Sequence, residues 1–130
     1  MQDITQFDRQ LGGAMQMVVT HLRLGYPTRM IFEKLAQTLP QPAAGIFHRL
    51  ATLTYTEMEI ITELEHINQE IPSEHLRQVV TALWQHHYRG GELADRLEPV
   101  AEEIVRKAGL DPDVRAQINV LRQMVASEAR

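Results

Sequence analysis

Between its prolines and glycines this chain places apolar residues at steps of three and four, and that rhythm leaves little choice of fold. Such steps put one apolar stripe along one face of a helix, whereas a half-buried strand needs steps of two. The rhythm is sharpest on either side of Gly90-Gly91. Leu76, Val79, Val80 and Leu83 precede the pair, and Leu93, Leu97, Val100, Ala101 and Ile104 follow it. Glycine accepts positive φ, so two in succession suit the end of one helix and a tight reversal into the next. A helix-turn-helix corner is therefore expected at residues 88–93. No window alternates as a strand would, and no Asn-Gly or Asp-Gly pair joins apolar runs. The expected class is all-α, an antiparallel bundle of about six to seven short helices.

In chain order, Phe7, Leu11, Ala14, Met15, Val18 and Leu22 predict a first helix over residues 4–24, ended by Gly25. Gly12 and Gly13 interrupt its pattern at a cost of about 1 kcal/mol each, which fits a close helix crossing or a kink and equally well a merely weak stretch of helix. Pro27 fits the first position of a second helix, whose inner face carries Ile31 and Leu35. Pro40 and Pro42 stop it. Ile46, Phe47 and Leu50 define a third helix over residues 43–54. Thr56, with Glu59 three residues on, has the pattern of a capping box opening a fourth over residues 57–70, which Pro72 stops. Ser73 and Glu74 open a fifth, ending at Tyr88. The sixth, residues 92–108, contains Pro99, so a bend or a late start is expected. Asp111 and Pro112 fit the N-cap and first position of a seventh.

A length of 130 residues, 44% hydrophobic, fits one domain over residues 1–130. The absence of cysteine excludes disulfides, thiolate metal sites and thiol nucleophiles. A formal charge of −4 with scattered lysines and arginines argues against nucleic acid as a partner. No apolar run approaches the roughly 20 residues that span a bilayer, and no signal peptide is evident, so a soluble chain is expected.

Six histidines invite a metal site, but none falls in a His-x-x-x-His or His-Glu-x-x-His pattern. Adjacent His86 and His87 point about 100° apart on a helix. His87 continues the apolar stripe of the fifth helix and is expected as a packed, hydrogen-bonded core-edge residue. Glu59 with Glu63, and Glu98 with Glu102, share helix faces that a cation could bridge, but solvated acidic faces are the simpler expectation. No phosphate loop, nucleophile elbow or dinucleotide fingerprint occurs, so no enzyme activity, metal or cofactor is expected. Trp84, with Tyr88 one turn on, fits either a marker of a partner surface or core packing, and core packing is the simpler expectation for Trp84.

Three corners share a layout: Gly25-Tyr26-Pro27, Tyr55-Thr56-Glu57 and Gly90-Gly91-Glu92 each open a helix, about 30 to 35 residues apart. That spacing is that of a two-helix unit, and predicts an internal helix-turn-helix duplication. The segments Leu22-Arg23-Leu24-Gly25-Tyr26-Pro27, Ile71-Pro72-Ser73-Glu74-His75-Leu76-Arg77 and Gly90-Gly91-Glu92-Leu93-Ala94-Asp95-Arg96-Leu97 together resemble the cytoplasmic domain of the type II secretion system F family. That family includes the inner-membrane platform proteins of tight-adherence and type IV pili. The similarity runs over roughly residues 11–105. Family members usually have a glycine at the second corner, where this chain has Thr54-Tyr55-Thr56. They also continue the sixth helix where Gly109-Leu110-Asp111-Pro112 interrupts this one, and they carry flanking transmembrane helices that have no counterpart here.

The resemblance implies a non-enzymatic scaffold at the cytoplasmic face of the bacterial inner membrane. Its partners would be a secretion or pilus assembly ATPase and other platform copies, with membrane contact only through segments absent from this chain. Gly25, Pro27, Leu35, Gly90, Gly91, Leu93 and Leu97 are the residues expected to set the docking shape. The alternatives are a free-standing helical adaptor that grips a peptide or partner helix, and a small metal-dependent enzyme built on the histidines. The amphipathic faces also leave room for a homo-oligomer.

Overall fold

The computed structural model describes residues 3–53 and 56–128. Among them are seven helices: α1 (Ile4–Arg23), α2 (Thr28–Thr38), α3 (Ala43–Ala51), α4 (Glu57–Glu70), α5 (Glu74–Arg89), α6 (Leu93–Ala108) and α7 (Pro112–Glu128). The described residues contain no strand, and the all-α bundle expected from the periodicity is what forms.

α1 is the axis of the bundle. Gln10 to Met15 are consecutively buried, so the helix is enclosed on every side through its middle instead of offering a single stripe. It touches α2, α3, α5, α6 and α7, most extensively α6. The glycine pair explains how α6 and α7 come so close. A Cβ on Gly12 would lie 2.8 Å from Val105 Cγ2 and 3.0 Å from the Val105 backbone nitrogen; one on Gly13 would lie 2.4 Å from Val114 Cγ1 and 2.6 Å from Leu110 Cδ1. The close-crossing expectation is therefore the one realised. Contacts of Gly12 with Val105 and of Arg23 with Asp95 and Glu98 make α6 antiparallel to α1.

Three consecutive residues of α1 hold the turns at one end of the bundle. Successive helical side chains point about 100° apart, so Asp8 and Gln10 reach different turns, while Arg9 acts through its backbone carbonyl. The Ser73 hydroxyl donates to Asp8 Oδ1 at 2.5 Å, fixing the α4–α5 turn. The Asp111 N–H donates to the Arg9 carbonyl at 2.9 Å, fixing the α6–α7 turn. Fully buried Gln10 donates from Nε2 to the Gln41 carbonyl at 3.0 Å and accepts from the Ala43 N–H at 3.1 Å, fixing the α2–α3 turn. The α1–α2, α3–α4 and α5–α6 corners lie at the opposite end.

Most helix ends fall where their punctuation predicts. Leu39 and Ile71, each before a proline, take extended backbone and close α2 and α4. Thr56 and Ser73 accept the Glu59 and Leu76 N–H groups, both at 3.1 Å. Asp111 caps α7 by accepting from Asp113 and Val114. Four details differ. Pro27 is the N-cap of α2, not its first residue: φ −61° suits a helix but ψ 145° does not. α3 stops at Ala51, not residue 54, because Thr52 and Leu53 turn back onto the Arg49 and Leu50 carbonyls. α6 starts on time and runs unbroken past Pro99, which lies on its exposed side, where the freed Asp95 carbonyl can meet water. His87 is hydrogen-bonded to Glu57 and packs edge-on against Trp84, as expected, but it is more exposed than a core-edge residue, because the last turn of α5 projects beyond the buried stripe that ends at Leu83.

Candidate functional site

The three corners singled out by the sequence meet at one end of the bundle, around the mouth of an apolar cavity of about 260 Å³. Leu22 at the end of α1, Thr28 at the start of α2, Thr56 and Glu57 at the start of α4, and Leu93 at the start of α6 form its rim. They are the lining residues that are not buried.

The first corner is a Schellman turn. Gly25, at φ 86°, donates to the Leu22 carbonyl at 3.0 Å, and Tyr26 donates to His21 at 3.1 Å. Nothing lies within 4 Å of a Cβ placed on Gly25, so the glycine is required by backbone angle, not by space. Just before it, Arg23 clamps α1 to α6 by donating to Asp95 at 3.1 Å and Glu98 at 2.8 Å. Glu98 first, then Asp95, hold the Arg23 guanidinium above its ordinary pKa.

The double-glycine corner is latched more heavily. Gly90 and Gly91 both take positive φ, at 73° and 91°. The Gly90 carbonyl accepts from Arg96 Nε at 2.8 Å, and the Gly91 carbonyl lies 3.0 Å from His86 Nε2. Because a carbonyl only accepts, that nitrogen carries a hydrogen. The other ring nitrogen, Nδ1, sits 2.5 Å from Glu57 Oε2. His87 Nδ1 holds the second Glu57 oxygen at 3.2 Å. A carboxylate–imidazole pair can orient a general base, but both His86 nitrogens are engaged, and the pair serves to tie α4 to the α5–α6 corner.

Beside this latch stands an aromatic pair. Tyr88 is 75% exposed and stacks on Trp84, with ring centroids 5.4 Å apart and planes 10° apart. Trp84 is half-buried, not enclosed, and its Nε1 donates to Glu65 at 3.3 Å.

The other expected site residues separate by depth. Leu97 is buried and Leu93 half-buried, and both wall the cavity. Leu35 is fully buried under α2, so it shapes the fold without reaching the surface. Pro27 is exposed at the first corner. Of the second corner, Thr54 and Tyr55 lie outside the described residues; in their described part all three corners open a helix on an extended N-cap, Pro27, Thr56 and Glu92. On the two acidic faces, Glu63 pairs with Arg49, which also holds Glu70, and Glu98 pairs with Arg23. Among the described residues no group of three or more His, Asp or Glu side chains is arranged to hold a metal ion, and no helix is long and apolar enough to cross a membrane. Comparison with protein-family models, with curated proteins and with solved structures gives no match.

Proposed function

We propose that this chain is a non-enzymatic docking domain of a bacterial secretion or pilus-assembly platform, engaging its assembly ATPase through the corner end of the bundle. The observation that carries the proposal is the convergence of the three corner segments on one end, beside the exposed Tyr88 braced by Trp84. Two of them, at Gly25 and at Gly90-Gly91, belong to the segments on which the resemblance to the type II secretion system F family rests; the third such segment, residues 71–77, turns at the opposite end. A rigid aromatic at a surface loses little entropy on docking, which is why such residues recur as hot spots. The arginine and histidine latches fix the corners beneath it, so a force applied there is passed to α1, α4 and α6 rather than absorbed by a loose turn. In such a platform the domain sits at the cytoplasmic face of the inner membrane.

The test is binding of the immobilised chain to the assembly ATPase encoded with it. Tyr88→Ala should weaken binding by about tenfold or more while leaving the melting temperature unchanged, since the side chain is mostly exposed. Unaltered binding by Tyr88→Ala, or no binding by the parent chain, would refute the proposal. A second reading, an adaptor that grips a partner helix, draws on a shallow groove between α2 and α7. Leu24, Val120 and Met124 stand 41%, 51% and 53% exposed along it. Under that reading Val120→Glu, not Tyr88→Ala, abolishes partner capture.

A further inference from the structure

The apolar cavity behind the corners is a feature that docking at the surface does not use. Protein interiors are packed to crystal density, with few voids larger than a water molecule. This one measures about 260 Å³ and is walled by α1 and α3 to α6, with Phe32 and Thr28 of α2. Its depth is carbon: Phe7, Leu11, Ile46, Leu64, Val79 and Leu83 are all buried. Apart from methionine sulfur, the side chains that bring a polar atom to its lining are Thr28, Thr56 and Glu57, all at the mouth. A cavity without polar partners does not hold ordered water, and an apolar cavity of about 150 Å³ is enough to take up benzene. By that measure the space here accommodates roughly nine or ten non-hydrogen atoms.

The mouth selects the end group. A carboxylate arriving there meets the Glu57 carboxylate, and an ammonium must compete with His86 and His87, which already occupy its two oxygens. A hydroxyl does neither: it can donate to a remaining lone pair of Glu57 and exchange hydrogen bonds with the threonine hydroxyls. We propose that this cavity binds a single straight aliphatic chain of about eight carbons bearing an uncharged hydroxyl end, with the tail between α1, α4 and α5 and the hydroxyl at Thr28, Thr56 and Glu57. The same chemistry is offered by a free alcohol and by the acyl chain of a neutral glycerolipid. The inference does not depend on any protein partner at the corners.

The test titrates the whole chain with 1-octanol, glycerol monooctanoate, octanoate and octylamine at neutral pH, following methyl NMR shifts and heats of binding. Saturable one-to-one binding of 1-octanol is expected, with octanoate and octylamine weaker by about tenfold or more. Tighter binding of glycerol monooctanoate than of 1-octanol would identify a lipid as the source, and the reverse a free alcohol. The methyl groups of Ile46, Ile60 and Leu64 should shift, while those of Val114 and Ile118 on the α7 side should not. Ala14→Leu, which pushes three carbons into the space, should abolish binding while preserving the helical circular dichroism. Non-saturable binding, equal binding of octanoate, or shifts centred on Val114 and Ile118 would overturn the proposal. The methyl map is read on the unaltered chain, so it decides the matter even if Ala14→Leu fails to fold.

Discussion

Gly12→Ala is the substitution whose outcome the fold predicts against intuition. In an exposed helix interior, replacing glycine by alanine gains about 1 kcal/mol through reduced backbone entropy. At Gly12 the new Cβ would sit 3.0 Å from the Val105 backbone nitrogen as well as 2.8 Å from its Cγ2 and 3.1 Å from Ile104 Cγ2. Side-chain ends can rotate aside, but a backbone atom moves only if α6 is displaced from α1, along the most extensive helix contact in the molecule. Overpacking of this kind costs typically 1 to 3 kcal/mol. Set against the propensity gain, the net runs from about zero to a loss of about 2 kcal/mol, or up to roughly 8 °C in melting temperature for a chain of this size. The internal control is Gly45→Ala in α3, where the new Cβ meets only the end of the exposed Gln41 side chain at 3.0 Å. That variant should gain about 0.5 to 1 kcal/mol. Thermal and urea unfolding of the two variants beside the parent decides the matter. If Gly12→Ala stabilises the chain as much as Gly45→Ala does, the crossing is not as tight as argued, and the placement of α6 on α1 is wrong.

Further expectations follow from the same geometry. Gln10→Ala should cost about 2 to 4 kcal/mol in urea unfolding, because it leaves both the Gln41 carbonyl and the Ala43 N–H without their buried partner. Thr56→Ala should cost about 1 kcal/mol through loss of the α4 cap, read as a small drop in melting temperature. Arg106 first, then Lys107, hold the Glu103 carboxyl down at about 2. Since its folded pKa is depressed, the contribution of this group to stability is complete above the ordinary glutamate range and disappears as pH falls toward 2. An NMR titration should place the Glu103 midpoint near 2, and Arg106→Ala should raise it toward ordinary values.

The helices were legible in the sequence because their signals are local. A proline, a capping threonine or a run at steps of three and four acts on its own segment whatever the rest of the chain does. The convergence of the three corners is legible for a similar reason: in an up-and-down bundle every second connection falls at the same end. Gly12 and Gly13 announced a close approach but not its partner, since an absent side chain carries no information about which helix fills the space. The long-range ties were not legible. Asp8 with Ser73, Gln10 with the α2–α3 turn and His86 with Glu57 join residues by side-chain hydrogen bonds that leave no periodic trace. Gln10 did leave a weak sign, a polar residue three positions after Phe7 on the apolar stripe of α1. Stripe logic failed at His87 because periodicity continues to the end of a helix even where its packing partner has ended. Leu35, Leu93 and Leu97 were grouped with the corner glycines as one docking shape. Leu35 and Leu97 act beneath it, through packing, and Leu93 is half-buried at the rim, while Gly25, Gly91 and Pro27 are exposed.

The most direct test of the docking proposal is amide hydrogen exchange of the chain alone and in complex with its assembly ATPase. Protection confined to residues 22–28, 56–59 and 86–93 is predicted, because the ligand covers the end where the corners meet. Protection centred instead on residues 39–43, 71–73 and 109–112, at the end held by Asp8, Arg9 and Gln10, would contradict it.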